Sequence, residues 1–248
     1  MNIRGVAHRG YSAMYPENTL SSFQAAIDLG YSHMELDVHL SKDGVPVVMH
    51  DHTIDRMTNG SGEIRDYTLK ELQQFVINDE ERIPTLEEVL ILAKDCIIVS
   101  IELKHPKLYK GIEEKLYDVI RKVGMLNQVY VISFDHRSLA RLRNISKEIE
   151  IGPLVNKLKR SDFRLIDKLD ATHIAVNYNG LNEEYIKRYE EADVQLVVWT
   201  VNSLKQMKYL QQYPSLLITT DELEKYKLFS SPSIRAAGEY LYDYEQLS

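Results

Sequence analysis

Two periodicities alternate along this 248-residue chain. Short apolar runs rich in β-branched residues fall near 6–8, 33–38, 97–103, 128–133, 149–155, 173–177, 195–201 and 216–220. Each reads as a strand, and each is followed by a stretch with helical spacing of its apolar positions. The helical stretches fall at 85–94, 109–123, 136–147, 158–169, 183–192, 203–212 and 222–228, after a first one from Thr19 to Leu29. Asn18 is the expected cap of that first helix and Gly30 its stop. Eight repeats of strand then helix predict a parallel sheet closed as a (β/α)₈ TIM barrel, with an open doubly wound sheet as the alternative topology. The chain is expected to form one domain over residues 1–248.

One segment breaks the alternation. Met34 to Leu40 and Val45 to His50 are two strand-like runs joined by Ser41-Lys42-Asp43-Gly44, and Asp-Gly is a strong signal for a tight hairpin. With Asp43 and Gly44 at the turn centre, Lys42 faces Val45 and Asp37 comes opposite His50. In the first arm Glu35, Asp37 and His39 share one face and Met34, Leu36, Val38 and Leu40 the other, so the polar face looks inward. The same parity pairs Glu102 with Lys104 against Ile101 and Leu103. From about Asp51 to Ile83 the chain carries turn residues, charges and a short amphipathic stretch, Thr68 to Phe75. It reads as a small excursion, either a rim over the barrel mouth or an ordinary connection. The stretch from Ser230 onward, with Tyr240, Tyr242 and Tyr244, is expected to pack on the barrel or on a neighbour.

Charge narrows the function classes. A formal net charge of −7 argues against non-specific nucleic-acid binding, which draws its affinity from Lys and Arg neutralising phosphates. The single cysteine, Cys96, sits beside Ile97, Ile98 and Val99 and is expected to be a buried, inert thiol. No run approaches the ~18 apolar residues of a membrane span, no amphipathic cationic helix suits a lipid surface, and Met1 to Val6 lacks the apolar core of a secretory signal. A cytoplasmic protein acting on a small molecule is the expectation.

The chemistry gathers at strand ends. Val6-Ala7-His8-Arg9, Met34-Glu35-Leu36-Asp37-Val38 and Ile101-Glu102-Leu103-Lys104 place ionisable groups in apolar strands, where each is costly unless the groups converge. Glu35 and Asp37, two apart on one face, can share a cation with Glu102 from the next parallel strand. Oxygen ligands suit one hard divalent ion, Ca²⁺ or Mg²⁺. His8 and His50 can divide proton abstraction and donation near neutral pH. His39 and His52 are outside candidates. Beside a cation, Arg9 can clamp a phosphate by bidentate bonding and Lys104 as a point charge. Trp199 is either a core aromatic or an apolar wall for substrate.

These residues fall in an order that resembles the glycerophosphodiester phosphodiesterases. The blocks are His8-Arg9-Gly10, Pro16-Glu17-Asn18-Thr19, Glu35-Leu36-Asp37-Val38, Asp43-Gly44, Val47-Val48-Met49-His50-Asp51, Glu102-Leu103-Lys104, Trp199-Thr200-Val201-Asn202 and Ile218-Thr219-Thr220-Asp221. The resemblance spans Ala7 to Asp221. It implies a (β/α)₈ barrel that hydrolyses glycerophosphodiesters to sn-glycerol 3-phosphate and an alcohol with Ca²⁺ or Mg²⁺ bound. It would make His8 and His50 the acid/base pair, Glu35, Asp37 and Glu102 metal ligands, and Arg9 and Lys104 phosphate contacts. Glu17 and Asn18 would orient those groups. A phospholipase D-like or phosphoinositide-cleaving enzyme on a related barrel, and a binding barrel without catalysis, are the alternatives.

Overall fold

The computed structural model describes residues 3–78 and 80–230, so the tyrosines at 240, 242 and 244 lie outside the described residues. The chain opens with β1 (Ile3–His8), α1 (Leu20–Asp28), β2 (Tyr31–Leu40) and β3 (Pro46–Val48), then crosses to α2 (Leu69–Leu72) and α3 (Leu86–Ala93). Regular units follow: β4 (Ile98–Leu103) with α4 (Ile112–Val123), β5 (Val129–Ser133) with α5 (His136–Ile145), and β6 (Glu150–Val155) with α6 (Arg160–Leu169). The last three are β7 (His173–Asn177) with α7 (Glu183–Glu191), β8 (Gln195–Trp199) with α8 (Leu204–Leu210), and β9 (Leu217–Thr220) with α9 (Leu223–Ser230). Parallel pairing runs β2, β4, β5, β6, β7, β8, β9, β1 and back to β2, which closes an eight-stranded barrel. Strand β3 stands outside the ring and pairs antiparallel with the end of β2 that overhangs the rim. Among the described residues no helix is long and apolar enough to cross a membrane.

Side-chain alternation divides the barrel into two apolar layers. Met34, Leu36 and Val38 of β2 and Ile101 and Leu103 of β4 face outward into the large core shared with the helices. The inward layer is apolar only on part of the ring, where Ile132, Leu154, Ala175, Val197 and Leu217 meet. Deeper in β1, Val6 joins that apolar set, but toward the mouth the inward positions of β1, β2 and β4 are His8, Glu35, Asp37, Ser100 and Glu102, so one side of the barrel mouth is charged and the other apolar.

Local geometry corrects three expectations. Thr19, not Asn18, caps α1, in a box completed by Ser22, because the Asn18 amide is engaged elsewhere. The β2–β3 turn has three central residues, with Gly44 at φ +77, and Ser41 N–H donates to the Val45 carbonyl. A turn of that length ending in a left-handed glycine shifts the register by one, so Met49, not His50, lies opposite Asp37. Cys96 is exposed rather than buried, since the turn after α3 ends only at Ile97 and the thiol falls on its outer side. The amphipathic stretch from Thr68 forms only the single turn α2, and the excursion around it is packed on its own small core of Met49, Ile54, Ile64, Leu72 and Ile83.

Candidate active site

The C-terminal ends of β1, β2 and β4 deliver the charged residues to one cavity of about 230 Å³ at the barrel mouth. Strand register does the first part of the work: His8 is level with Glu35, and Asp37 with Glu102. Oxygens of Glu35, Asp37 and Glu102 come within 4.8 Å of one another. Burial, then the charges of Asp37 and Glu102, push the Glu35 carboxyl well above the usual carboxylate range. Burial acts on Asp37 too, but Lys104 and Arg9 outweigh it and hold that carboxyl low. Burial, with Asp37 adding repulsion, raises Glu102 to about 7. Three converging carboxylates of which two resist ionisation form an all-oxygen donor set, and the residues fit a hard divalent cation.

Two cations flank Asp37. Arg9 Nε lies 3.5 Å from one of its oxygens and Lys104 Nζ lies 3.7 Å from the other, with Glu102 3.1 Å from the same ammonium. Arg9 has φ +57, a left-handed conformation rare outside glycine, and its backbone N–H donates to Glu35. The next residue must be glycine: Gly10 has φ +79, and a Cβ there would sit 2.6 Å from the backbone of Ser22. Glu17 and Asn18 contact these groups. One oxygen of Glu17 accepts from Arg9 at 3.1 Å and from Arg56 at 2.7 Å, while Asn18 donates to Asp37 at 2.9 Å.

Both expected histidines reach the cavity, and each has a carboxylate behind it. His8 Nδ1 donates to Asp221 at 2.7 Å, and His50 Nδ1 donates to Asp51 at 2.6 Å. A carboxylate only accepts, so each contact puts the proton on Nδ1, and Nε2 is left without a hydrogen-bond partner among the described residues. Burial alone would raise the Asp221 carboxyl, but His8, Asn202 and Ser12 pull it down to about 2. Arg56 grips Asp51 through Nε at 2.7 Å and lowers its pKa, and the same guanidinium bonds Glu17. A continuous chain therefore runs from Asp51 through Arg56, Glu17 and Arg9 to Asp37. Burial lowers the pKa of His50, partly offset by Asp37 and Asp51.

Asp221, Asp51, Asn202 and Arg56 had no assigned role in the sequence reading. Asp51 and Asp221 stood inside quoted motifs, and adjacency of a carboxylate to His50 was the available signal. Nothing in the sequence marked Arg56. His39 is fully buried: Nε2 donates to the His50 carbonyl at 3.1 Å and Nδ1 accepts from the Tyr109 hydroxyl at 2.9 Å. His52 instead lies edge-on to His105 outside the cavity lining. Trp199 lines the cavity, edge-to-face with Phe134, and its buried Nε1–H has no acceptor among the described residues.

Residues 8–225 match the model of the glycerophosphoryl diester phosphodiesterase family. A glycerophosphodiester phosphodiesterase of Caldanaerobacter subterraneus is 36% identical over 228 residues, covering 88% of this chain and 94% of the relative. A phosphodiesterase of Oleispira antarctica, solved in complex with the product sn-glycerol-3-phosphate, superposes with a TM-score of 0.86 at 25% identity over 91% of this chain and 96% of that one. A glycerophosphodiester phosphodiesterase of Thermotoga maritima does so with a TM-score of 0.75 at 29% identity, over 91% and 97%.

Proposed function

We propose that this chain, which belongs to the glycerophosphoryl diester phosphodiesterase family, hydrolyses glycerophosphodiesters to sn-glycerol 3-phosphate and an alcohol by paired histidine acid/base catalysis at a divalent cation site. The observation that carries the reading is the duplicated arrangement at the cavity. His8 and His50 each have Nδ1 committed to a carboxylate and Nε2 outside any hydrogen bond among the described residues, that of His8 lying 3.9 Å from Glu35, beside three clustered acids. One such histidine is common; two that share a cavity with Glu35, Asp37 and Glu102 suit in-line displacement at phosphorus, where one proton leaves the nucleophile and another joins the departing oxygen.

Glu35, Asp37 and Glu102 are the residues that would hold Ca²⁺ or Mg²⁺, and the bound ion would supply positive charge against the developing negative charge of the phosphoryl oxygens. Lys104 and Arg9 add to that stabilisation from either side of Asp37. Arg9 and Trp199 both line the cavity, Arg9 with its Nε turned toward Asp37, so the rest of the guanidinium and the indole face bound substrate. One imidazole takes the nucleophile's proton at Nε2 while the other gives its Nε2 proton to the leaving alkoxide. Asp51 and Asp221 stabilise whichever ring is charged and keep both tautomers fixed. The apolar half of the wall, from Ile132 to Val197, faces the carbon skeleton and limits water near the reacting phosphorus.

Purified protein should release glycerol 3-phosphate from glycerophosphocholine and glycerophosphoethanolamine, lose activity on chelation, and regain it with Ca²⁺ or Mg²⁺. His8→Ala and His50→Ala should each lower kcat ~10²-fold or more, and the double variant should be little worse than the poorer single one. Undiminished turnover in verified metal-free protein, or release of phosphocholine in place of choline, would overturn the reading.

A further inference from the structure

Unneutralised positive charge is concentrated on one sector of the barrel mouth. The loops after β4, β5 and β6, with the helix starts they lead into, carry six exposed cations: Lys107, Lys110, Arg137, Lys157, Lys159 and Arg160. Residues 104–111, 134–137 and 156–160 contain one carboxylate, Asp135, and the first turns of α4 and α6 add Glu113, Glu114 and Asp162, of which only Glu114 is exposed, in a chain whose net charge is −7. Lys107 lies 3.8 Å from Asp135, and the other five have no carboxylate within ion-pair distance among the described residues. The sector is local. Loops after β7 and β9 carry Glu183, Glu184, Glu222 and Glu224 instead.

Apolar side chains crowd the same end of the barrel. Of the eight large hydrophobic residues exposed among the described residues, four sit on mouth loops: Leu108 at 38% and Phe134 at 46% exposure beside the cations, Met14 at 70% and Tyr15 at 43% on the loop after β1. Leu108 and Phe134 are carried on two neighbouring strands' loops and together line a second cavity, of about 500 Å³, that shares Glu102, Lys104 and Phe134 with the catalytic one.

We propose that this sector docks the protein reversibly on an anionic lipid surface, with Lys107, Lys110, Arg137, Lys157, Lys159 and Arg160 over the headgroups and Leu108 and Phe134 entering the boundary with the acyl chains. Cations alone would suit any polyanion. Exposed apolar tips among them suit a partner that has both negative charge and apolar depth, which a bilayer interface offers and a soluble polyanion does not. The sequence offers no cationic amphipathic helix for this task; adjacent loops supply both components because parallel strands bring their C-terminal ends to one face. Docking there would turn the cavity toward the membrane. The inference is independent of the hydrolytic reading, since it concerns binding by residues outside the charged cluster.

The test is co-sedimentation of the full chain with vesicles of phosphatidylglycerol in phosphatidylcholine, against vesicles of phosphatidylcholine alone. The protein should pellet with the first, remain in solution with the second, and be released by raised salt. Each cation at an anionic surface is worth about fivefold in affinity, so Lys157→Glu with Lys159→Glu should weaken binding by well over tenfold. Leu108→Ser should weaken vesicle binding severalfold while leaving retention on heparin unchanged. All variants should melt as the parent does and hydrolyse soluble glycerophosphocholine at the parent rate, which reads docking apart from catalysis. Equal binding to both vesicle types, absence of binding to anionic vesicles, or retention on heparin without any vesicle binding would each overturn the proposal, the last by assigning the surface to a soluble polyanion.

Discussion

Lys104→Met tests how the charged cluster is balanced before any cation binds. The ammonium lies 3.1 Å from Glu102 and 3.7 Å from Asp37, and only 14% of the lysine side chain is exposed. Methionine keeps most of the aliphatic stem, so packing is preserved and the charge is lost. Three carboxylates then face one guanidinium, that of Arg9. Removing one member of a buried ion pair costs about 3–5 kcal/mol. The lower end applies at neutral pH, because Glu35 already resists ionisation and a further proton on the cluster relieves part of the repulsion. For a chain of this size each kcal/mol moves Tm by about 2–4 °C, so chelated Lys104→Met should melt ~6–12 °C below the chelated parent. A divalent cation restores the missing charge. At a hundredfold excess over Kd it stabilises by about 2.7 kcal/mol, enough to recover most of the deficit, and the variant should gain more from Ca²⁺ than the parent does. Activity should not recover with stability. In the proposed mechanism Lys104 also meets the phosphate, so kcat/KM at saturating cation should remain ~10²-fold low. The assays are thermal denaturation with chelator and with Ca²⁺, and steady-state hydrolysis of glycerophosphocholine. Equal melting temperatures of the two chelated proteins, or parental kcat/KM in the variant, would refute the reasoning.

Three further outcomes follow from the geometry. Asp221→Asn removes the anion that fixes the His8 tautomer and should lower kcat by ~10²–10⁴-fold with KM little changed; steady-state kinetics on folded protein check it, and parental kcat would dismiss Asp221 as His8's partner. Tyr109→Phe deletes the donor to buried His39, should cost about 1–3 kcal/mol in stability by denaturant unfolding, and should reduce kcat more than it raises KM because His39 holds the His50 carbonyl. Calcium affinity should fall as pH is lowered through about 7, because protons on Glu35 and Glu102, both raised in pKa, compete with the cation; titration calorimetry across that range should show it, and pH-independent affinity would contradict the assignment of these two as ligands.

The barrel and half of the site were legible in sequence because both depend on short-range periodicity. Alternation in β2 put Glu35 and Asp37 inward and Leu36 and Val38 outward, and a parallel barrel sends every strand's C-terminal end to one face, so His8, Glu102 and Lys104 had to meet them. Gly30 ended its helix as a left-handed glycine does. Expectations failed where the outcome depended on competition between partners. Asn18 caps nothing because Asp37 takes its amide, Thr19 being free to cap in its place. The hairpin slipped by one residue because an Asp-Gly pair fits a three-residue loop as well as a two-residue one, and pairing along β2 and β3 selects between them. Asp221, Asn202 and Arg56 became part of the site through contacts spanning 213, 19 and 39 residues of sequence. Sequence alone determined which side chains point into the barrel, since that follows from a period of two. Tertiary structure decided that Asp221 backs His8, because hydrogen-bond pairing between ends of different strands depends on distances of a few tenths of an ångström that no local pattern encodes.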